Sequence, residues 1–186
     1  MNTTMLKTPD EGISPDGYII DQDCFSSVRY RTIRADYNGC GWIAAYNLRH
    51  FLGHSVTWDD VRAEMDAMHT LRIPGPTLMR VMREYLGRYV PVYRETVGRE
   101  EALREAENSR AGIFRYREGD TPHFICFIRQ SGSLFRFFNV DDRIDDAVMT
   151  MSWFGREHFL RGNVIALTVP MIETEKETIH EIQDDP

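Results

Sequence analysis

Apolar residues recur at helical spacing in the first half of this chain and alternate or cluster as strands in the second. Ile43, Ala44, Ala45, Tyr46, Leu48, Phe51 and Leu52 surround one helix on most sides, which predicts a buried central element starting at Cys40 and stopped by Gly53. Thr57 is placed to cap a second helix, with Asp59 and Asp60 in its first turn and Val61, Met65 and Met68 on its buried stripe. Residues 77–86 repeat the pattern through Leu78, Val81, Met82, Tyr85 and Leu86, and Gly87 reads as the end.

Short strands are expected at 18–20 and 28–33, with a turn over 36–39 ahead of the Cys40 helix. Residues 89–93 read as a strand that Pro91 pushes to an edge, 98–108 as a charged helix and 111–117 as a strand. The strongest β signal runs from His123 to Asp142. A helix capped by Ser152 and a strand over 163–169 follow. Helices first and strands later is an α+β order.

The 123–142 segment is a hairpin, and its side chains suggest a register. A loop of Gln130, Ser131 and Gly132 pairs Phe124 with Phe138, Ile125 with Phe137, Phe127 with Phe135 and Ile128 with Leu134, each an apolar match. That register sets His123 opposite Asn139, with Asp141 on the same strand face and Cys126 on the other.

At 186 residues the chain suits a single domain at 18–170, preceded by an irregular lead-in over 1–17. Residues 171–186 read as an acidic tail, and 173–186 alone hold a net −5 of the total −7. With no basic stripe, nucleic acid is an unexpected partner. No apolar run is long enough to span a membrane, and the N-terminus lacks the regions of a signal peptide, so a cytoplasmic location is expected. Cys24, Cys40 and Cys126 are an odd set without CxxC spacing, which fits neither a disulfide framework nor a structural zinc site. No metal or other cofactor is expected.

Cys40 carries the candidate chemistry. It is bracketed by Gly39 and Gly41 in the first turn of the central helix, where unpaired N–H groups and the helix dipole favour a thiolate. A lone cysteine there is most often packing. His123 supplies the base that changes that reading, and Asn139 the group that orients it. His50, His54, His69, His158 and His180 have no comparable partner and read as structural or exposed.

The order of the Cys helix, two further helices and then a sheet bearing His and Asn resembles a papain-like cysteine peptidase. Within that class it is most similar to the bacteriocin-processing peptidases that remove double-glycine leaders. The resemblance covers about residues 34–169 through CGWIAAYNLRHFLGHSVTWDDVRAE, GPTLMRVMREYLGRYVPVYR, PHFICFIRQSGSLFRFFNVDD and MSWFGREHFLRGNVIAL. It implies a central Cys helix packed on an antiparallel sheet, with Cys40 as nucleophile, His123 as base and Asn139, 16 positions on, as the orienting residue. Asp141 stands as the alternative third member. The substrate implied is a peptide or protein, cleaved at a peptide or isopeptide bond through an acyl-enzyme. The same triad also serves acyl transfer and deamidation, and a peptide-binding module without activity is the other reading. One position departs from the family: the glutamine expected six residues before the cysteine is Arg34. The backbone N–H of Cys40 can supply one oxyanion donor and Asn38, Tyr37 or Gln22 the second; Asn38 is the candidate replacement, and equally a turn residue ahead of Gly39.

Overall fold

The computed structural model describes residues 7–69, 75–140, 147–159 and 162–171. It is a mixed α+β arrangement in which helices flank one antiparallel sheet. A small hairpin, β1 (Arg29–Tyr30) and β2 (Ile33–Arg34), turns through Arg31 and Thr32, both at positive φ, where 28–33 reads as one strand. A single helical turn, α1 (Ala35–Asn38), replaces the expected turn and leads directly into α2 (Cys40–Phe51). Then come α3 (Trp58–Ala67), α4 (Met79–Tyr89), β3 (Arg94–Val97), α5 (Arg99–Glu107), β4 (Ser109–Glu118), β5 (Thr121–Ser131), β6 (Leu134–Phe138), β7 (Ala147–Thr150), α6 (Met151–His158) and β8 (Ile165–Pro170).

The six-stranded sheet has the order β3-β8-β4-β5-β6-β7, antiparallel throughout. Both its faces are covered. Ala111, Ile113, Phe124, Cys126, Ile128 and Leu167 pack with α2, whose Trp42, Ile43, Ala45 and Leu48 are fully buried. Phe114, Tyr116, Ile125, Phe127, Phe135 and Phe137 pack on the opposite face with Ala102 and Ala106 of α5 and Phe154 of α6. Period-two alternation in β4 and β5 divides the two cores.

Several boundaries differ from expectation. Helix α4 continues through Gly87 to Tyr89, burying Tyr85 and Leu86, because a glycine inside a helix costs only ~1 kcal/mol. The expected strand over 89–93 is therefore lost to the helix and a bend at Pro91, and the edge strand begins at Arg94. The cap of α6 is Thr150, whose hydroxyl accepts from Trp153 N, and not Ser152. Residues 18–20 contribute a single bridge, Ile13 to Ile19.

The hairpin register is shifted by two residues. Phe127 pairs with Phe137 and Cys126 with Phe138, with a bulge between Arg129 and Ser131. Two arginines account for the shift. Arg129 donates to the carbonyls of Ser109 (3.0 Å), Glu107 and Gly132 and lies over the ring of its cross-strand neighbour Phe135. Arg136, opposite Ile128, pairs with Asp16 and lies over Tyr18 and Phe138. Charge-assisted bonds of this kind outweigh one apolar cross-strand match. A shift of two preserves the faces, so Cys126 points to the α2 core as expected.

Candidate functional site

Cys40 opens α2. The first bond of the helix runs from Ile43 N to Gly39 O at 3.0 Å, so the N–H groups of Cys40 to Trp42 precede the helical ladder. Neighbouring atoms dictate both flanking glycines. A Cβ on Gly39 would sit 2.5 Å from Ala35 O, and one on Gly41 2.1 Å from Thr77 Oγ1. The thiol is 4% exposed and makes no hydrogen bond among the described residues.

His123 lies at the start of β5, half-buried. Its Nε2 is 2.9 Å from the backbone carbonyl of Asn139. A carbonyl only accepts, so Nε2 carries the hydrogen, and Nδ1 is the basic nitrogen of the neutral ring. The imidazole meets Tyr116 edge-on at 5.6 Å between centroids, which groups it with Ile125 and Phe127 on the sheet face away from α2.

Asn139 is thus near His123, although not directly opposite it and not through its side chain. The strand shift removes the direct pairing, and a φ of +60° turns the Asn139 side chain out of the alternation. That side chain goes to Gln22: Asn139 Nδ2 donates to Gln22 Oε1 at 3.0 Å, and Asn139 Oδ1 accepts from Gln22 N at 3.2 Å. Gln22 Nε2 in turn donates to Asp36 O at 2.7 Å, four residues before Cys40. A path of hydrogen bonds, passing through the covalent frame of Asn139, therefore leads from the turn ahead of the cysteine to the imidazole. Helix α2 runs with its start at this end, since its far end is held where His50 Nε2 meets Asp16 O and Asp16 meets Arg136.

The other candidates fall differently. Asn38 is buried, and its Nδ2 donates to Tyr30 O (2.9 Å) and Gly75 O (3.0 Å), which commits both amide hydrogens and leaves none for an oxyanion. Asn38 closes the helical turn α1 and ties it to the β1–β2 hairpin and to Gly75 through these two bonds. Arg34 is half-exposed and paired with Asp36. Asp141 and His180 lie outside the described residues. Among the described residues, no group of three or more His, Cys, Asp or Glu is placed to hold a metal ion.

Two residues have roles that the sequence does not mark. Gln22, weighed only as a possible oxyanion donor, sits 18 residues from Cys40, and no periodicity marks its place between Asp36 and Asn139. His69 is buried, its Nε2 3.0 Å from Tyr30 Oη, which also meets Thr77 Oγ1 at 3.0 Å beside Gly41. Burial, with Arg31 nearby, holds the His69 imidazole down at about 4. The remaining thiols are poor nucleophiles: burial and the adjacent Asp21 push Cys24 up to about 12, and burial alone raises Cys126. An apolar pocket of about 300 Å³ lies elsewhere, lined by Leu52, Val90, Pro91, Val92, Val169 and Met171.

No protein-family model matches this sequence, and neither does any curated protein. No helix among the described residues is long and apolar enough to cross a membrane.

Proposed function

We propose that the protein is a papain-like thiol hydrolase acting on a peptide or isopeptide bond, with Cys40 as nucleophile and His123 as acid and base. The observation that carries this reading is the path Asp36–Gln22–Asn139–His123, which ties the turn preceding a helix-start thiol to an imidazole of defined tautomer. In this mechanism Cys40 Sγ attacks the carbonyl carbon, and the thiol proton passes to His123 Nδ1. The oxyanion is received by N–H groups of the first turn of α2, in the field of the helix dipole. The imidazolium then protonates the leaving amine, and His123 takes a proton from the water that releases the acyl group. Thiol and imidazole are not hydrogen-bonded to one another in this structure, so the first step requires Cys40 and His123 to approach as substrate binds. Catalytic hydrogen bonds often tighten only in the substrate complex.

A second reading, a peptide-binding module without activity, is favoured by the near-complete burial of Cys40 and the grouping of His123 with the opposite face. The two separate on treatment with a panel of peptidyl epoxides and vinyl sulfones, read by intact mass and peptide mapping. Hydrolase chemistry predicts a single adduct on Cys40, absent in Cys40→Ser and slowed at least ~100-fold in His123→Ala. Failure of every probe to label Cys40, or labelling unaffected by the histidine change, contradicts it.

A further inference from the structure

We infer that Gln22 is a positioning residue that clamps the His123–Asn139 pair to the Cys40 turn. The inference deepens the hydrolase reading and rests on it for its functional meaning, while its geometry stands independently.

Two backbone carbonyls, which can only accept, orient every group between them. At one end Asp36 O requires a donor, so the Gln22 atom facing it is Nε2. Gln22 Oε1 is then left for the Asn139 amide, whose donor Nδ2 must face it at 3.0 Å. Asn139 Oδ1 is left to accept from the Gln22 backbone N–H at 3.2 Å. At the other end Asn139 O fixes the hydrogen of His123 on Nε2. Neither amide has an alternative orientation that satisfies these partners.

The clamp also explains the backbone at Asn139. A φ of +60° is uncommon outside glycine, and asparagine tolerates it best. Here the paired amides hold that conformation, and it is the conformation that aims Asn139 O at the imidazole. Gln22 is itself held in a short 3-10 turn, Gln22–Phe25, capped by Asp21 Oδ1, which accepts from Asp23 N at 2.9 Å. Asn139 thus orients the histidine through its main chain, while its side chain is gripped by Gln22. The family arrangement implied by the sequence uses the side chain itself.

The test combines two readouts on the wild type, Gln22→Ala and the near-isosteric Gln22→Met. Imidazole ¹⁵N NMR reports the tautomer of His123, and the pH profile of Cys40 alkylation by iodoacetamide reports its thiolate. In the wild type the Nε2–H tautomer dominates. In both variants the tautomers mix and alkylation of Cys40 at pH 6 falls about tenfold or more. If the variants lower the melting temperature and leave tautomer and pH profile as in the wild type, Gln22 is merely structural and the clamp is overturned. If the tautomer is lost in the variants but wild-type Cys40 reacts like an ordinary thiol, the clamp stands and the hydrolase reading falls.

Discussion

Thr77 explains why position 41 is glycine. An added Cβ there would come within 2.1 Å of Thr77 Oγ1 and 2.3 Å of its Cβ, and the Thr77 hydroxyl is already engaged with Tyr30. Gly41→Ala would gain ~0.5–1 kcal/mol of helix propensity but lose ~1–3 kcal/mol to overpacking, so the clash wins. The expected net loss of about 1–2 kcal/mol lowers the melting temperature by about 2–4 °C per kcal/mol, measurable by calorimetry. The glycine pair around Cys40 was legible in the sequence, but its reasons were not, because Ala35 O and Thr77 are brought there by the fold. His69 illustrates the same limit. Its imidazole is depressed in the folded state to about 4, so between pH 6.5 and 4 the unfolded chain binds the extra proton. Stability therefore rises with pH through that window and falls on acidification, by roughly 2–3 kcal/mol at pH 4. His69→Gln removes this slope, which urea titrations at pH 4, 5 and 7 will detect.

Caps, turns and amphipathic stripes carry the elements, and these are local signals. Thr57 caps α3 as its sequence indicates, with Asp60 N at 3.2 Å from the hydroxyl and Asp60 Oδ2 returning to Thr57 N. Thr57→Ala should cost about 1 kcal/mol, read as a shift in denaturation midpoint at unchanged m-value. Register was not legible, since matching apolar residues across the hairpin ignores what arginine does at a strand end. Arg129 gathers three carbonyls and lies over Phe135 at 4.4 Å, contacts that involve residues up to 22 positions away. Arg129→Met keeps the stem and removes the guanidinium. We expect a loss of about 2 kcal/mol and faster amide exchange in β5 and β6, whereas unchanged exchange would show that the register is set without it. Gly87 and Pro91 show the complementary error: tertiary burial of Tyr85 and Leu86 carried α4 past a nominal stop signal.

Over the whole molecule, α2 is laid along the sheet and fastened at both ends. At its far end Asp16 is held at about 2, chiefly by its bonds to Arg136, so this contact stabilises the fold above pH ~4 and is lost as pH falls toward 2. His69 acts at higher pH, which predicts acid unfolding in two successive losses. At the near end Gln22 joins the Cys40 turn to Asn139 and His123, and there the candidate chemistry is concentrated. The α+β order and a buried central helix starting at Cys40 were readable from hydrophobic spacing, whereas the packing of that helix on an antiparallel sheet was implied only by the family resemblance. The bridge was not, because its four members come from four separate stretches of chain, around positions 22, 36, 123 and 139. The most direct measurement is the pH dependence of Cys40 alkylation by iodoacetamide, read by peptide mass spectrometry in the wild type and His123→Ala. Cys24 and Cys126, whose thiols are held high by their surroundings, serve as internal controls. Cys40 alone is expected to react rapidly below pH 7, and the histidine change to abolish this. Reaction no faster than a free thiol of pKa ~8.5, or protection equal to that of Cys24 and Cys126, would contradict it.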